Sequence, residues 1–359
     1  MDPTLLKVSL LCYGARSPPD FDKGRCGGAG PAGGGYLVLD GTATPSTNVA
    51  FQGHHVRNSP FSIEKVGEEC LLCQDNAPSI AVRLVERPAF LDNRTSEGIP
   101  VWKIASFHGS DAIGVTIDKN CYYWRNKQQC KFCAIEQKIK THSGKSLAIK
   151  TPQQVSDAIE AAVESGFCHH VTLTTGIAET PDRGATPYIP ILREIRRNLK
   201  TPVHVQLEPP QDLEMLGRLY EEGADTVGLH IESLDEKVKR RVCPGKPPDR
   251  VYFRAWKYAE KTFGQNQVST FILVGLGEDP KLTDRRLENV TSAGAIPFVT
   301  PFRPLLGTEL ENEDPPNPSY LLGITEKAVV KMKDSGMKPN ENRAGCVRCG
   351  ACSAIMEVF

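Results

Sequence analysis

Two groups of cysteines are spaced for metal chemistry. Cys121, Cys130 and Cys133 form C-x8-C-x2-C, and Cys346, Cys349 and Cys352 form C-x2-C-x2-C near the end of the chain. Thiolates are soft ligands that suit iron–sulfur clusters and zinc. Three of them can hold three irons of a four-iron cluster, which leaves the fourth iron open to another ligand. A C-x2-C pair is also half of a zinc site. On spacing alone, both readings of the first group stand.

The elements around the cysteines decide where they sit. The run 112–118, AIGVTID, is rich in β-branched residues and reads as a buried strand. The first cysteine group therefore lies on the loop leaving a strand's C-terminal end. From there the chain alternates. Further strands are expected at 169–175, 202–208, 226–232, 267–274 and 295–302, with helices at 152–165, 188–199, 210–222, 250–263 and 280–293. Thr151-Pro152 opens the first helix as a cap followed by proline, and Gly166 stops it. Six strands with helical crossovers imply a parallel sheet with right-handed connections. The fold class expected is α/β, a partial (β/α)6 TIM-type barrel. A last helix near 320–335 packs across one end.

In such barrels the chemistry sits at the C-terminal ends of the strands. The expected strand ends carry Thr174-Thr175-Gly176, Gln206 and Glu208, and His230, Glu232 and Ser233. The fifth ends in Gly275-Leu276-Gly277-Glu278-Asp279, and the sixth runs into Arg303 and Gly307-Thr308-Glu309-Leu310. Each residue alone has a plain structural reading: a solvated carboxylate, a satisfied core histidine, a turn glycine. Their shared place on one rim, beside three cysteines, favours a site.

The C-x2-C half of the first group, with Phe132 before its last cysteine, resembles the cluster loop of the radical SAM superfamily. The usual loop there is C-x3-C-x2-C, so the x8 gap is a departure. Val274-Gly275-Leu276-Gly277-Glu278 resembles the fifth-strand segment of biotin synthase-like members. His230-Ile231-Glu232-Ser233 resembles their fourth-strand segment, whose acidic residue binds the ribose of S-adenosylmethionine (SAM). Gly307-Thr308-Glu309-Leu310 resembles a late Gly-Thr-Pro-Leu turn, and Gly176 stands where a glycine-rich motif receives the SAM amino group. More narrowly, the whole chain resembles the radical SAM member of nitrilase-linked bacterial gene clusters associated with cyanide assimilation.

The resemblance implies a [4Fe–4S] cluster on Cys121, Cys130 and Cys133, with SAM chelating its open iron. It implies SAM contacts from Phe132, Gly176, His230, Glu232, Gly275, Gly277 and Glu278. Reductive cleavage of SAM would then give methionine and a 5′-deoxyadenosyl radical that takes hydrogen from a small substrate of unknown identity. The expected partners are that substrate and an electron donor, either a reductase or a ferredoxin- or flavodoxin-type protein. The alternative is a non-redox zinc-binding barrel or an iron–sulfur scaffold.

The tail has the spacing of the first three ligands of a ferredoxin-type loop and is expected to hold a second iron–sulfur cluster. Its fourth ligand comes from elsewhere, from a substrate, or from nothing; Cys26, Cys70 and Cys73 are the obvious protein donors. The competing reading is a zinc clip with one borrowed ligand. If the tail follows the last helix directly, it folds back over the barrel mouth. Cys12, Cys168 and Cys243 read as buried structural cysteines.

Bulk properties bound the rest. At 359 residues the chain has room for about two domains. Boundaries are expected at 1–104 for a small β-rich N-terminal domain, 105–318 for the barrel and 319–359 for the helix and Cys-rich tail. Lys+Arg and Asp+Glu each number 43, which gives no electrostatic case for nucleic acid as partner. No apolar run has the length of a membrane span, and the N-terminus lacks the basic start of a leader, so a cytoplasmic protein is expected. Twelve cysteines in a reducing compartment argue for metal or redox work rather than disulfides. Glycines at 24, 27, 28, 30 and 33–35 crowd a segment before the strand-like run 36–41. Without the Lys-Ser/Thr of a phosphate loop, they read as a flexible turn.

Overall fold

The N-terminal part builds a five-stranded antiparallel sheet from β1 (Gly35–Val38), β2 (Thr47–Val49), β3 (Phe61–Val66), β4 (Glu69–Gln74) and β5 (Ile80–Leu84), in the order β2-β1-β5-β4-β3. This computed structural model describes residues 2–19, 21, 34–66, 69–75, 80–136 and 147–359. Cys26 and most of the glycine-rich segment lie outside the described residues.

The larger sheet holds β6 (Ser106–His108), β7 (Ala112–Asp118), β8 (His170–Thr175), β9 (Val203–Gln206), β10 (Thr226–Gly228), β11 (Val268–Val274) and β12 (Ile296–Pro301). Its order is sequential from β6 to β12, and it curls into a half-barrel. β7 to β12 run parallel, while β6 is a short antiparallel edge strand. Every residue of β11 and β12 is buried, as expected of strands covered on both faces. The helix Pro152–Glu164 starts on a capping box in which Thr151 and Gln154 each accept from the other's backbone N–H.

Three expectations change. β9 and β10 are shorter than read, because β10 ends at Gly228 and the chain then bends through Glu232 at φ +70°. The N-terminal segment is β-rich as expected, but it also opens with a helix that was not expected, Pro3–Tyr13. Val8, Leu11 and Cys12 of that helix join the barrel core, while Leu6 and Leu10 join the core of the small sheet. The helix Pro318–Asp334 follows β12 as expected, but the tail after it does not cover the rim bearing the first cysteine group.

Instead the tail works inward from the opposite end. Asn342 Nδ2 donates to the Asn266 carbonyl at 2.6 Å, and the Arg343 amide donates to Gln267 Oε1 at 3.1 Å, both just ahead of β11. The Gly345 amide donates to His170 Nδ1 at the start of β8. The chain then crosses to β12, where Thr300 Oγ1 donates to the Cys352 carbonyl at 2.8 Å, and to β2, where the Asn48 amide donates to the Ala351 carbonyl at 2.8 Å. The two edge strands, β6 and β12, do not pair. Residues 44–50 and the tail occupy the seam between them.

Candidate metal and cofactor site

Local devices set the first cysteine group. Asp118 ends β7, and its Oδ1 accepts from the Asn120 amide at 2.8 Å and from Nδ2 at 2.7 Å, turning the chain. Cys121 starts the short helix Tyr122–Arg125, and its amide donates to Glu136 Oε1 at 2.8 Å. Gly176 lies against this corner, where a Cβ would overlap the Asn120 carbonyl oxygen. The glycine is thus needed for close approach. The long x8 stretch is held from outside. The Lys131 amide donates to the Val242 carbonyl at 2.8 Å, and the Gly245 amide to the Gln128 carbonyl at 3.2 Å. Glu309, in the late turn, accepts from Gln129 Nε2 at 2.9 Å and lies 3.5 Å from Lys131 Nζ.

Cys121, Cys130 and Cys133 line one cavity with Gly176, Glu208, His230 and Glu232. Burial pushes the Cys133 thiol up, and the neighbouring Cys130 and Cys121 push it further. Such thiols need a metal to stay deprotonated. Phe132 also lines the cavity, packed in a cluster with Val238, Leu273 and Phe302.

Among the described residues, two buried polar atoms in the cavity wall, Glu208 Oε2 and His230 Nε2, have no partner. Tyr123 donates to Glu208 Oε1 at 2.6 Å, but Glu208 Oε2 is unmatched. Burial raises the Glu208 pKa against the pull of Lys246. His230 stacks flat on Phe271 with ring centroids 3.9 Å apart. Its Nδ1 accepts from the Phe271 amide, so a neutral ring carries its proton on Nε2, and Nε2 is also unmatched. Burial drives the His230 pKa well down, which keeps it neutral. Unmatched buried polar atoms are costly, and a polar ligand satisfies them.

Glu232 reaches the cavity from its left-handed backbone, and Lys246 Nζ lies 3.0 Å from its Oε1. Lys246 also donates to the His230 carbonyl at 2.5 Å. Burial lifts the Glu232 carboxyl pKa, and the Lys246 ammonium opposes that lift.

The remaining expected residues divide. Gly275 and Gly277 shape the turn after β11 at φ +103° and +87°. Glu278 accepts from the Gly275 and Leu276 amides and from the Tyr320 hydroxyl, each at 2.8 Å. These three residues lie outside the cavity lining, and the carboxylate is occupied by its own turn. Arg303 does line the cavity, yet its guanidinium is engaged. It donates to the Leu11 carbonyl at 2.9 Å, to the Asn48 carbonyl at 2.8 Å and to Asn48 Oδ1, clamping the N-terminal part to β12.

In the tail, burial raises the thiols of Cys346 and Cys349, and Cys352 raises both further, so the three stand together. Gln206 Nε2 donates to Cys346 Sγ at 3.4 Å. Because Gln206 also lines the cavity, it separates the two cysteine groups. Among the described residues, no three His, Cys, Asp or Glu side chains close around a single metal ion. A cubane makes a different demand, one thiolate per iron, with its ligands spread around the cluster. Cys70 and Cys73 lie on β4 of the small sheet, while Asp111, Gln206 and Lys7 flank the tail thiols.

Sequence reasoning missed Lys246, and missed Tyr123 as the partner of Glu208; it read Cys243 as buried, which it is, but not as a neighbour of Cys130. The Cys243 thiol is buried against Cys130 by a side-chain hydrogen bond. The only trace of Lys246 was a lysine within Pro-Gly-Lys-Pro-Pro.

Residues 126–285 match the Radical SAM superfamily. That stretch, a little under half of the chain, is similar to a radical SAM domain. The matched stretch includes Cys130 and Cys133 and begins after Cys121, so the widened gap falls at its edge. Radical SAM enzymes use a [4Fe–4S] cluster and SAM. Three thiols in one cavity with unmatched polar atoms fit that pair of cofactors.

The bacteriochlorophyllide c C-7(1)-hydroxylase of Chlorobaculum limnaeum is 22% identical over 299 residues, covering 76% of this chain and 74% of that protein. Among solved structures, methylornithine synthase has a TM-score of 0.49 at 18% identity, over 62% of this chain and 64% of that one, less than two thirds of its length. A radical SAM methyltransferase from Sphaerobacter thermophilus has a TM-score of 0.49 at 12% identity, over 82% of this chain and 80% of that one. Among the described residues, no helix is long and apolar enough to cross a membrane.

Proposed function

We propose that Cys121, Cys130 and Cys133 hold the [4Fe–4S] cluster and that SAM binds in the cavity beside it. When bound, the cluster supplies the single electron that cleaves the SAM sulfonium bond. The chain's own residues bind and orient. Glu232 accepts from the ribose hydroxyls, held in place by Lys246. Gly176 lets the cysteine loop pack against β8, and Phe132 walls the cavity against water. His230 Nε2–H donates and Glu208 Oε2 accepts, so both groups gain partners when the cavity fills. The observation that carries this reading is the meeting of the three thiols with those two unmatched atoms in one cavity.

The substrate in this reading is a small molecule of nitrile- or cyanide-related nitrogen metabolism, as the likeness to the nitrilase-linked proteins suggests. A ferredoxin- or flavodoxin-type donor supplies the electron. Cys346, Cys349 and Cys352 hold a second iron–sulfur cluster on the far side of Gln206 from the cavity.

Two measurements test these assignments. Anaerobically reconstituted protein with SAM and a reductant should form 5′-deoxyadenosine, read by mass spectrometry with candidate nitriles and small amines. If none forms under reducing conditions, the catalytic reading fails. Two cubanes require about eight irons per chain, and a C346A/C349A/C352A variant about four. Equal iron in the two proteins, with zinc lost from the variant, would make the tail a zinc staple.

A further inference from the structure

The tail offers three thiols, and a protein ligand for a fourth iron has to come from another part of the chain. We infer that His204 Nε2 is that ligand; the inference rests on the second-cluster reading above. His204 sits on β9 with 1% of its surface exposed. Its Nδ1 lies 2.7 Å from Thr226 Oγ1, and the Thr226 hydroxyl donates to the Ala344 carbonyl at 3.1 Å. A carbonyl can only accept, so the hydroxyl proton is committed to Ala344 and the histidine must donate from Nδ1. That fixes the tautomer and leaves a lone pair on Nε2. Among the described residues, Nε2 has no hydrogen-bond partner.

A ligating histidine is typically held this way, with its other ring nitrogen donating to a fixed acceptor that orients the ring. Here the orienting chain ends on the tail itself, at Ala344, two residues before Cys346. The tail also presses on the ring directly: a Cβ built on Gly345 would lie 2.6 Å from His204 Cδ2. Cys346 Sγ meets Gln206, two residues along β9 from His204 and on the same face of the strand.

The space at Nε2 is kept open. Gly228 pairs with Gln206 on the neighbouring strand. A Cβ on Gly228 would stand 2.8 Å from His204 Nε2 and 3.0 Å from His230 Nε2. Both nitrogens therefore border the space left by the missing Gly228 side chain, and of the two only His204 offers a lone pair there.

Of the other donors near the tail, His170 offers no lone pair, because its Nδ1 accepts and a neutral ring then carries its proton on Nε2. His170 Nδ1 accepts from the Gly345 amide, and its Nε2 lies 3.7 Å from Asp111 Oδ1. Cys12 is fully buried in the barrel core, and the Arg303 guanidinium lies near both it and Cys352. A neutral imidazole in place of a thiolate raises a cluster's potential, so this ligand tunes the second cluster to accept electrons more readily than an all-thiolate one.

The test uses the full chain carrying C121A, C130A and C133A, reconstituted with iron and sulfide so that only the tail site is loaded. Pulsed electron paramagnetic resonance of the reduced protein should show strong nitrogen hyperfine coupling. The coupling should change when histidine is labelled with 15N, and it should disappear in His204→Gln at unchanged iron content. A cluster without histidine-nitrogen coupling, or coupling that survives His204→Gln, overturns the assignment. If His204→Gln does not fold, the labelled parent decides alone. Absence of iron from the parent defeats the second cluster itself, a result distinct from a cluster lacking nitrogen ligation.

Discussion

Lys246 Nζ lies 3.0 Å from Glu232 Oε1 in the wall of the cavity, and the same ammonium binds the carbonyl of His230. One lysine thus fixes both polar residues contributed by the fourth parallel strand segment. A left-handed backbone at a non-glycine residue persists only where its surroundings impose it. At Glu232, Lys246 and the bridge to Ile272 supply that constraint.

Glu232→Gln removes the charge that accepts ribose hydroxyls. A hydrogen bond to a charged group contributes about 1.5–3 kcal/mol, so SAM affinity should fall roughly ten- to a hundredfold. Titration of SAM into the reconstituted variant measures it, and an unchanged Kd removes Glu232 from the site.

Changing any one of Cys121, Cys130 or Cys133 to Ala should abolish reductive SAM cleavage while the circular dichroism of the barrel is retained. If the triple-Ala protein still forms 5′-deoxyadenosine, the cluster lies elsewhere.

Gly176→Ala forces a methyl group into the Asn120 carbonyl, beside the Cys121 backbone. Both sides are backbone, so the cysteine loop must shift; overpacking of this kind costs about 1–3 kcal/mol. Iron bound at the first site should drop while the tail site, read in a C121A/C130A/C133A background, keeps its iron. Full iron at both sites would show that the corner is looser than described.

Lys7 and Glu357 form a buried ion pair at 2.7 Å, with side chains 0% and 2% exposed. Burial lowers the Lys7 pKa, and Glu357 counteracts it. Lys7→Met leaves a buried carboxylate without its cation, a loss of about 3–5 kcal/mol. Urea unfolding should register it, and the double change with Glu357→Leu should recover most of the loss. No recovery would mean that Lys7 acts through packing and not charge.

Acid should weaken the iron-free protein. Burial, with His170 adding to it, holds the His204 pKa down to about 3, and burial, with Arg303 and His54, holds His55 at about 4. Between those values and about 6.5 the unfolded chain binds the extra protons, so this stability is full above 6.5 and is lost as pH falls. Each such histidine contributes a slope of about 1.4 kcal/mol per pH unit in that window. Urea midpoints of iron-free protein at pH 7 and pH 5 report it, and equal midpoints would show that both rings protonate without unfolding.

The strands were legible because buried parallel strands are continuous apolar runs: Val268–Val274 and Ile296–Pro301 fall within one residue of their expected spans. Elements whose partners lie far off in sequence were less so. The helix Pro3–Tyr13 is buried along Leu6–Cys12 between two cores, so it shows no polar face and gives no helical stripe. Lys246 looks like a loop lysine until Glu232, 14 positions earlier, is beside it. The direction of the tail was misread for the same reason: its course is set by Asn266, Gln267 and His170, which spacing cannot bring together. Cys121, Cys130 and Cys133 were readable because their chemistry is local.

The pair joining Lys7 to Glu357 also has a chronology. The two residues are 350 positions apart, so during synthesis the first helix waits for all the intervening residues before its ionic partner exists. Contacts of such long range close late. Until then the seam between β6 and β12 lacks the tail that fills it, and the interior can be reached from the side. Iron delivered during synthesis meets an open barrel, whereas iron delivered afterwards meets one that residues 342–357 have shut.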